Sequence, residues 1–106
     1  MFVKTENRDV EDIGQGVKRK ILAYSGSLMS VEVHFKKGAI GVAHSHVHEQ
    51  ITYVLEGQFE VQVGQKKELL GKGDMFYAGP NIEHGVVALE DGVLLDTFAP
   101  QRDDFL

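Results

Sequence analysis

Residues 38–63 decide the fold, and they read GAIGVAHSHVHEQITYVLEGQFEVQV. The apolar periodicity is close to two in the runs ITYVL and FEVQV, and β-branched or aromatic residues dominate both runs. This period and composition are typical of β-strands. Glu56 and Gly57 separate the two runs, and because glycine readily adopts positive φ, the pair predicts a hairpin turn.

The same alternation continues outside this stretch, as in VEVHF, and the chain's 12 glycines provide turn signals at short intervals. Antiparallel strands leave few open edges when they close into a barrel or a double-sheet jelly roll. The sequence therefore predicts one all-β domain over residues 1–106, with at most a weak helical turn near 7–13 or at the C-terminus. The predicted strands lie near 17–25, 28–37, 42–46, 50–56, 58–63, 67–70, 74–78, 82–89 and 93–99.

Composition excludes several classes of function. The formal net charge of -5, with acids and bases interspersed, argues against a nucleic-acid partner. No segment approaches the roughly 18 apolar residues of a membrane span, and the start lacks the apolar core of a secretory signal, so we expect a cytoplasmic protein. Cysteine is absent, so any metal must be held by nitrogen and oxygen. We interpret the basic runs at 18–20 and 36–37 as solvated strand faces.

Three of the five histidines lie within residues 44–48, and Glu49 and Gln50 follow directly. On a strand, residues i and i+2 point to the same face with Cα atoms roughly 6.5 to 7 Å apart, so His44 and His46 can bind one ion. His48 lies roughly 13 Å from His44 along a straight strand, beyond reach of the same ion. A bend at 47–49 would bring in position 49 or 50 as a ligand and place His48 at the rim.

A further ligand must come from His34 or His84. His84 is the better candidate, because it follows the turn at 79–81, where a new strand begins. His34 lies in mid-strand on the face shared with Glu32 and Lys36, which is typical of a half-exposed strand residue. Neutral imidazoles bind transition ions well, so the cluster predicts a metal site, and the alternative is a solvated polar turn.

The cluster also fits a longer spacing: Gly38, five residues, His44-Ser45-His46, three residues, Gln50, six residues, Gly57. This spacing resembles the first motif of the cupin family, in which a glutamate stands at the place of Gln50. Glu49 is one residue too early, and one residue along a strand turns a side chain to the opposite face. The resemblance implies a cupin-type double-stranded β-helix, which is a jelly-roll barrel, with His44, His46 and Gln50 as metal ligands.

The second cupin motif is matched in part. Gly73 and His84 have the family's separation, which adds His84 to the implied metal ligands. Gly79, Asn81 and Ala88 replace the proline, glycine and asparagine of the motif. Asn81 still tolerates a left-handed turn.

The C-terminal stretch LLDTFAPQRDDFL, taken with Gln50, is similar to the small single-domain cupins of pectin and alginate breakdown, the KdgF-type proteins. The resemblance implies a metal-dependent enzyme that promotes ring opening and tautomerisation of 4,5-unsaturated monouronates to linear keto forms. It implies one divalent transition metal ion (Zn, Ni, Fe, Mn or Co). The family's functional D-x-F-x3-R pattern falls on Asp96, Phe98 and Arg102, and we expect His48, Phe98 and Arg102 to contact the substrate.

In this scheme Asp96 is the acid/base, Phe98 shapes the apolar side of the pocket and Arg102 grips a carboxylate. Burial would raise the pKa of Asp96 and a nearby cation would lower it, and the sequence does not decide between them. Each of the three residues also has a purely structural interpretation. Asp96 would be a polar residue at the barrel rim, Phe98 an ordinary core residue, and Arg102 the surface partner of Asp103 or Asp104. The alternative functions are an iron-dependent dioxygenase and a non-catalytic sugar-acid-binding cupin. The expected partners are a small-molecule sugar acid and a second copy of the chain in a homodimer.

Overall fold

The computed structural model describes residues 1–106, and antiparallel β-strands dominate it. None of its helical segments is long and apolar enough to cross a membrane. Short 3-10 turns cover Thr5–Asn7 and Asp103–Phe105. The strands are β1 (Glu11–Gly14), β2 (Val17–Tyr24), β3 (Met29–Phe35), β4 (Ile40–His44), β5 (Glu49–Glu56), β6 (Gln58–Val63), β7 (Lys66–Gly71), β8 (Met75–Ala78), β9 (His84–Ala88) and β10 (Gly92–Ala99).

The strands form two sheets around one apolar core. The larger sheet has six strands in the order β1-β2-β3-β10-β5-β8, and the smaller has four in the order β4-β9-β6-β7. Every pairing is antiparallel. The core combines Val31, Val54 and Leu94 from the larger sheet with Phe59 and Val86 from the smaller one. The predicted all-β jelly roll is confirmed.

The nine predicted strands correspond to β2 through β10, with ends that differ by no more than two residues. The additional strand β1 was missed, because EDIG carries two charged residues and a glycine and has little strand propensity of its own. It is held by pairing with β2, where Glu11 lies opposite Arg19. The weak helical turn allowed near 7–13 forms earlier in the chain, and the one allowed at the C-terminus forms as Asp103–Phe105.

The connection at Glu56 and Gly57 is not a hairpin turn, and that prediction was wrong. β5 belongs to the larger sheet and β6 to the smaller, so the chain crosses between sheets at Gly57. Gly57 has φ of +84°, and a Cβ there would lie 2.6 Å from the carbonyl oxygen of Asp91. Glycine is therefore required at this corner by both its backbone conformation and the close approach of a neighbouring loop.

The strand predicted at 42–46 also needs correction, because β4 ends at His44, opposite His84 at the start of β9. His46 lies in the loop that follows, where its carbonyl oxygen accepts a 2.7 Å hydrogen bond from the main-chain N–H of Asn81. The chain bends at residues 47–48 before β5 begins at Glu49, as predicted. One end of the barrel is thus built from the end of β4, the start of β9 and the loop between β4 and β5.

Candidate metal centre

Three histidines converge at this end of the barrel. His44 and His84 are directly paired residues of β4 and β9, and their ring centroids lie 4.7 Å apart. The ring of His46 lies 5.3 Å from that of His44 and 4.9 Å from that of His84. One nitrogen from each ring falls within 4.8 Å of the others. The structure therefore brings together the three histidines predicted as metal ligands.

Backbone carbonyls fix the orientation and tautomer of these rings. Nδ1 of each histidine lies 2.9 to 3.0 Å from a main-chain oxygen two residues away: Val42 for His44, His48 for His46 and Ile82 for His84. A carbonyl oxygen only accepts hydrogen bonds, so each Nδ1 must carry the proton and donate it. Each Nε2 is then an unprotonated acceptor, the form in which imidazole binds metals.

The side-chain oxygen of Gln50 adds a fourth potential ligand atom to the three histidine nitrogens. It lies near the start of β5 opposite Phe98 of β10, and both side chains are buried. Its Nε2 donates to Thr52 Oγ1 at 2.8 Å and to Asp96 Oδ1 at 3.4 Å. These donations direct Oε1 toward the histidines, where it lies 3.0 Å from His46 Nε2.

The resulting donor set fits a cation. With Nδ1 of His46 protonated, its Nε2 and the Gln50 oxygen are both acceptors, and two acceptors 3.0 Å apart repel unless a positive charge lies beside them. Nε2 of His84 is buried and has no hydrogen-bond partner in the protein. Burial lowers the pKa of His46 and of His84, which favours the neutral rings. Nitrogen and amide-oxygen ligands of this kind suit a divalent transition metal.

Asp96 lies beside the cluster on the inward face of β10, opposite Thr52 of β5. Its Oδ1 accepts a 2.6 Å hydrogen bond from the Thr52 hydroxyl as well as the longer one from Gln50. Burial raises the pKa of Asp96 to about 6, against the opposing effects of the Thr52 hydrogen bond and the positive charge of Arg102. Among the protein's own groups, desolvation therefore outweighs the positive charge of Arg102.

The cluster opens onto a cavity of about 380 Å³ between the two sheets. His44, Gln50 and Asp96 line one part of it, and Phe98 and Arg102 line another. This volume is in the range of small-molecule binding sites. All three residues of the predicted D-x-F-x3-R pattern thus lie on the cavity wall.

Arg102 is buried, and its guanidinium forms a two-pronged ion pair with Asp104, through Nε at 3.0 Å and Nη2 at 2.8 Å. The alternative that Arg102 pairs with Asp103 or Asp104 is therefore correct for Asp104. Arg102 itself is buried and does not lie at the surface. Phe98 is also buried, and its ring packs edge-on against His46 and Phe105, each at 5.8 Å between centroids.

The remaining predicted residues lie around this centre. His48 is half-buried, with its ring 5.3 Å from that of His46 and a buried Nδ1 that has no partner. Glu49 is exposed and accepts a hydrogen bond from the Tyr77 hydroxyl at 2.9 Å, outside the cluster. His34 is exposed on β3 beside Glu32, far along the strand from the metal centre.

Sequence reasoning missed Arg19, Thr52 and Phe105. The interpretation of residues 18–20 as a solvated face was wrong for Arg19, which is part-buried and lines the cavity. The available signal was its parity with Val17 and Ile21, because alternate residues of a strand share a face. Phe105 lies in the C-terminal 3-10 turn, whose position over the barrel depends on contacts distant in sequence.

The fold and this donor set define the class of protein. The Cupin domain family model matches residues 31–98, and the chain belongs to the cupin family. More narrowly, the chain is 54% identical over 98 residues to the pectin degradation protein KdgF of Dickeya dadantii, covering 91% of this chain and 89% of that protein.

Two solved cupin structures are similar to this chain over nearly its whole length. The structure of KdgF from Halomonas sp. superposes with a TM-score of 0.96 at 44% identity, covering 100% of this chain and 98% of that one. An RmlC-like cupin from Shewanella frigidimarina superposes with a TM-score of 0.97, also at 44% identity, covering 99% and 95% of the two chains. The similarity therefore extends over essentially the whole length of this chain.

The position of Gln50 yields a direct test of the ligand set. We expect Gln50→Ala to lower the affinity for a divalent transition metal by about tenfold or more, because an oxygen facing the histidines is lost. Glu49→Ala is the matched control, since Glu49 is the adjacent residue and lies outside the cluster. Metal content after dialysis against limiting zinc, measured by mass spectrometry, checks this. A larger loss in Glu49→Ala than in Gln50→Ala would contradict the register.

Proposed function

We propose that this cupin is a metal-dependent enzyme of pectin or alginate breakdown, which converts 4,5-unsaturated monouronates to their open-chain keto forms. The observation that carries the proposal is the position of Asp96. Its part-buried carboxyl is hydrogen-bonded to the Gln50 amide, whose oxygen faces the three histidines. The similarity to the pectin degradation protein KdgF of Dickeya dadantii supports a role in pectin breakdown.

The reaction is an isomerisation and needs proton transfers and the cleavage of one C–O bond, with no oxidant or reductant. The hydroxyl at C1 loses its proton and becomes an aldehyde as the bond from C1 to the ring oxygen breaks, and the ring oxygen takes up a proton to become the enol hydroxyl at C5. A proton then adds to C4 while the enol oxygen releases one, which leaves a ketone. We assign these transfers to Asp96, because a positioned carboxyl on the cavity wall can accept a proton in one step and return it in another.

Thr52 and Gln50 both donate to Oδ1 of Asp96 and leave Oδ2 without a protein partner. In our proposal Oδ2 is the atom that exchanges protons with the substrate. The two donors also hold the carboxyl in one rotamer, which is the positioning that general acid–base catalysis requires.

His44, His46, His84 and Gln50 would hold the metal ion. Such an ion supplies Lewis acidity toward a substrate oxygen, and four neutral ligands leave its charge uncompensated. We assign substrate binding to the other residues around the site. Phe98 forms an apolar wall, Arg102 adds positive charge near Asp96, and half-buried His48 lies at the rim on the His46 side.

A homodimer is part of the proposal, since the outer face of β5 and β8 is apolar and uncovered. Ile51 lies opposite Tyr77, and Tyr53 lies opposite Met75, and all four side chains are exposed. A sheet face of this kind is typical of an interface between copies. Light scattering coupled to gel filtration should give twice the mass of one chain, and Tyr53→Glu should shift the protein toward monomer. The cytoplasmic location stays a prediction from the sequence.

Asp96→Asn tests the proposed chemistry. The asparagine keeps an oxygen that accepts from Thr52 but does not take up a proton, so we expect kcat/KM to fall by about 10² to 10⁴. The assay is the loss of ultraviolet absorbance of the conjugated alkene in a lyase-generated unsaturated monouronate, compared with the spontaneous rate. Asp103→Asn is the control, because it removes an exposed carboxylate with the same change in charge.

Two results would contradict this function. One is an Asp96→Asn protein with full metal content and the wild-type rate. The other is a metal-loaded wild type that binds uronates without accelerating the reaction, which would favour the non-catalytic sugar-acid-binding cupin. Substrate-dependent oxygen consumption by the iron form would instead favour the dioxygenase.

A further inference from the structure

Arg19 is a charged residue on the inward face of the barrel. It lies in the middle of β2 opposite Val33 of β3, between the inward-facing Val17 and Ile21. Its side chain is 18% exposed, and it lines the same cavity as Gln50 and Asp96. Placing a guanidinium in such a position costs desolvation free energy, so its contacts indicate what it is there to bind.

The protein leaves this guanidinium incompletely paired. Nε of Arg19 is buried and has no hydrogen-bond partner. The single ion pair is a 3.4 Å contact from Nη2 to Glu11, a residue whose side chain is 43% exposed. In contrast, Arg102 has both Nε and Nη2 taken up by the carboxylate of Asp104. Of the two cavity arginines, Arg19 is thus the less fully paired, because no hydrogen bond engages its Nη1 and its contact with Glu11 is long.

Phe105 holds the two arginines together. The guanidinium carbon of Arg19 lies 4.0 Å from the centre of the Phe105 ring, and that of Arg102 lies 4.3 Å from it. These cation–π contacts fix the planes of both guanidiniums and concentrate positive charge at one side of the cavity. Of the metal-site residues, His44 and Gln50 line the same cavity together with Asp96, so one cavity holds both the two arginines and the proposed proton-transfer group.

We propose that Arg19 is the carboxylate-binding residue of this cavity, and that it grips a sugar acid through its two Nη groups in a two-pronged hydrogen bond. This inference rests on the proposed function, because it specifies how that substrate is oriented. The carboxylate lies against Arg19, and the ring oxygen and C1 hydroxyl face Asp96 and the histidines. Arg102 contributes charge to the subsite while it remains paired with Asp104.

Binding of a stable ligand tests this without relying on catalysis. The probe is D-galacturonate, measured by calorimetry on the metal-loaded protein, with D-galactose as the neutral counterpart. We expect Arg19→Met to weaken galacturonate binding by about tenfold to a hundredfold and to leave galactose binding unchanged. Lys18→Met is the matched control, since Lys18 is the neighbouring exposed cation on β2. Equal galacturonate affinity in Arg19→Met and wild type would overturn the proposal.

Two further variants separate a binding role from a structural one. Arg19→Lys keeps the charge and loses the fork, so we expect an intermediate loss of affinity, and wild-type affinity in this variant would overturn the proposal even if Arg19→Met does not fold. Glu11→Gln releases Arg19 from its ion pair, so we expect galacturonate to bind more tightly. A residue that only supports Phe105 would show no such gain.

Kinetics with the unsaturated monouronate distinguish this inference from the function on which it rests. We expect Arg19→Met to raise KM by about tenfold or more with kcat little changed, because carboxylate binding is made in ground and transition states alike. An active enzyme whose KM is unaffected by Arg19→Met would refute the inference and leave the function intact. An inactive wild type that binds galacturonate through Arg19 would refute the function and leave the subsite intact.

Discussion

Three hydrogen bonds from imidazole Nδ1 groups to backbone carbonyls organise the functional end of this barrel. They hold His44, His46 and His84 in a single tautomer and aim three unprotonated Nε2 atoms at one another. Three acceptors facing inward, joined by the oxygen of Gln50, are stable together only when a cation is present or water replaces it. The antiparallel pairing of β4 with β9 makes this possible, because it sets His44 directly opposite His84.

A chain of hydrogen bonds links this cluster to the proposed proton-transfer group. The Gln50 amide presents its oxygen to the histidines and its nitrogen to Thr52 and Asp96. A glutamate at position 50 would lack a donor toward Thr52 and Asp96, and its negative charge would repel the part-buried carboxyl of Asp96. Because the Gln50 side chain is a neutral amide, Asp96 can lie next to the metal centre and accept a hydrogen bond from that amide. The proposed role of Asp96 therefore depends on glutamine at position 50.

Much of this architecture could be predicted from local patterns, and the failures have a common cause. Period-two alternation located nine strands, and strand parity indicated that His44 and His46 share a face. The choice of Gln50 over Glu49 came from the resemblance to the first cupin motif, and the structure directs the Gln50 oxygen toward His46. Alternation identifies the residues that face inward, but pairing between strands depends on contacts distant in sequence. That is why the local pattern predicts a hairpin turn at Gly57, where the chain in fact crosses between the two sheets. The same limit applies to Arg19 and Phe105, which meet only because the C-terminal turn folds back against β2.

The distribution of charge in the cavity also depends on tertiary structure. The chain carries a net charge of -5, yet the charged residues on the cavity walls are two arginines and one aspartate. Such a cavity favours an anionic ligand although the protein as a whole is acidic. The net charge of the sequence does not reveal the charge of the cavity, because the cavity charge depends on which few charged residues face inward.

We propose that the three Nε2 atoms and the Gln50 oxygen hold one metal ion. Anomalous X-ray diffraction at the absorption edge of zinc, from crystals of the zinc-loaded protein, locates such an ion and its ligand atoms. We expect one strong anomalous peak within bonding distance of Nε2 of His44, His46 and His84 and of Oε1 of Gln50. A peak bound through His48 or Glu49, or coordination by Nδ1 with the rings flipped away from their carbonyl partners, would contradict it.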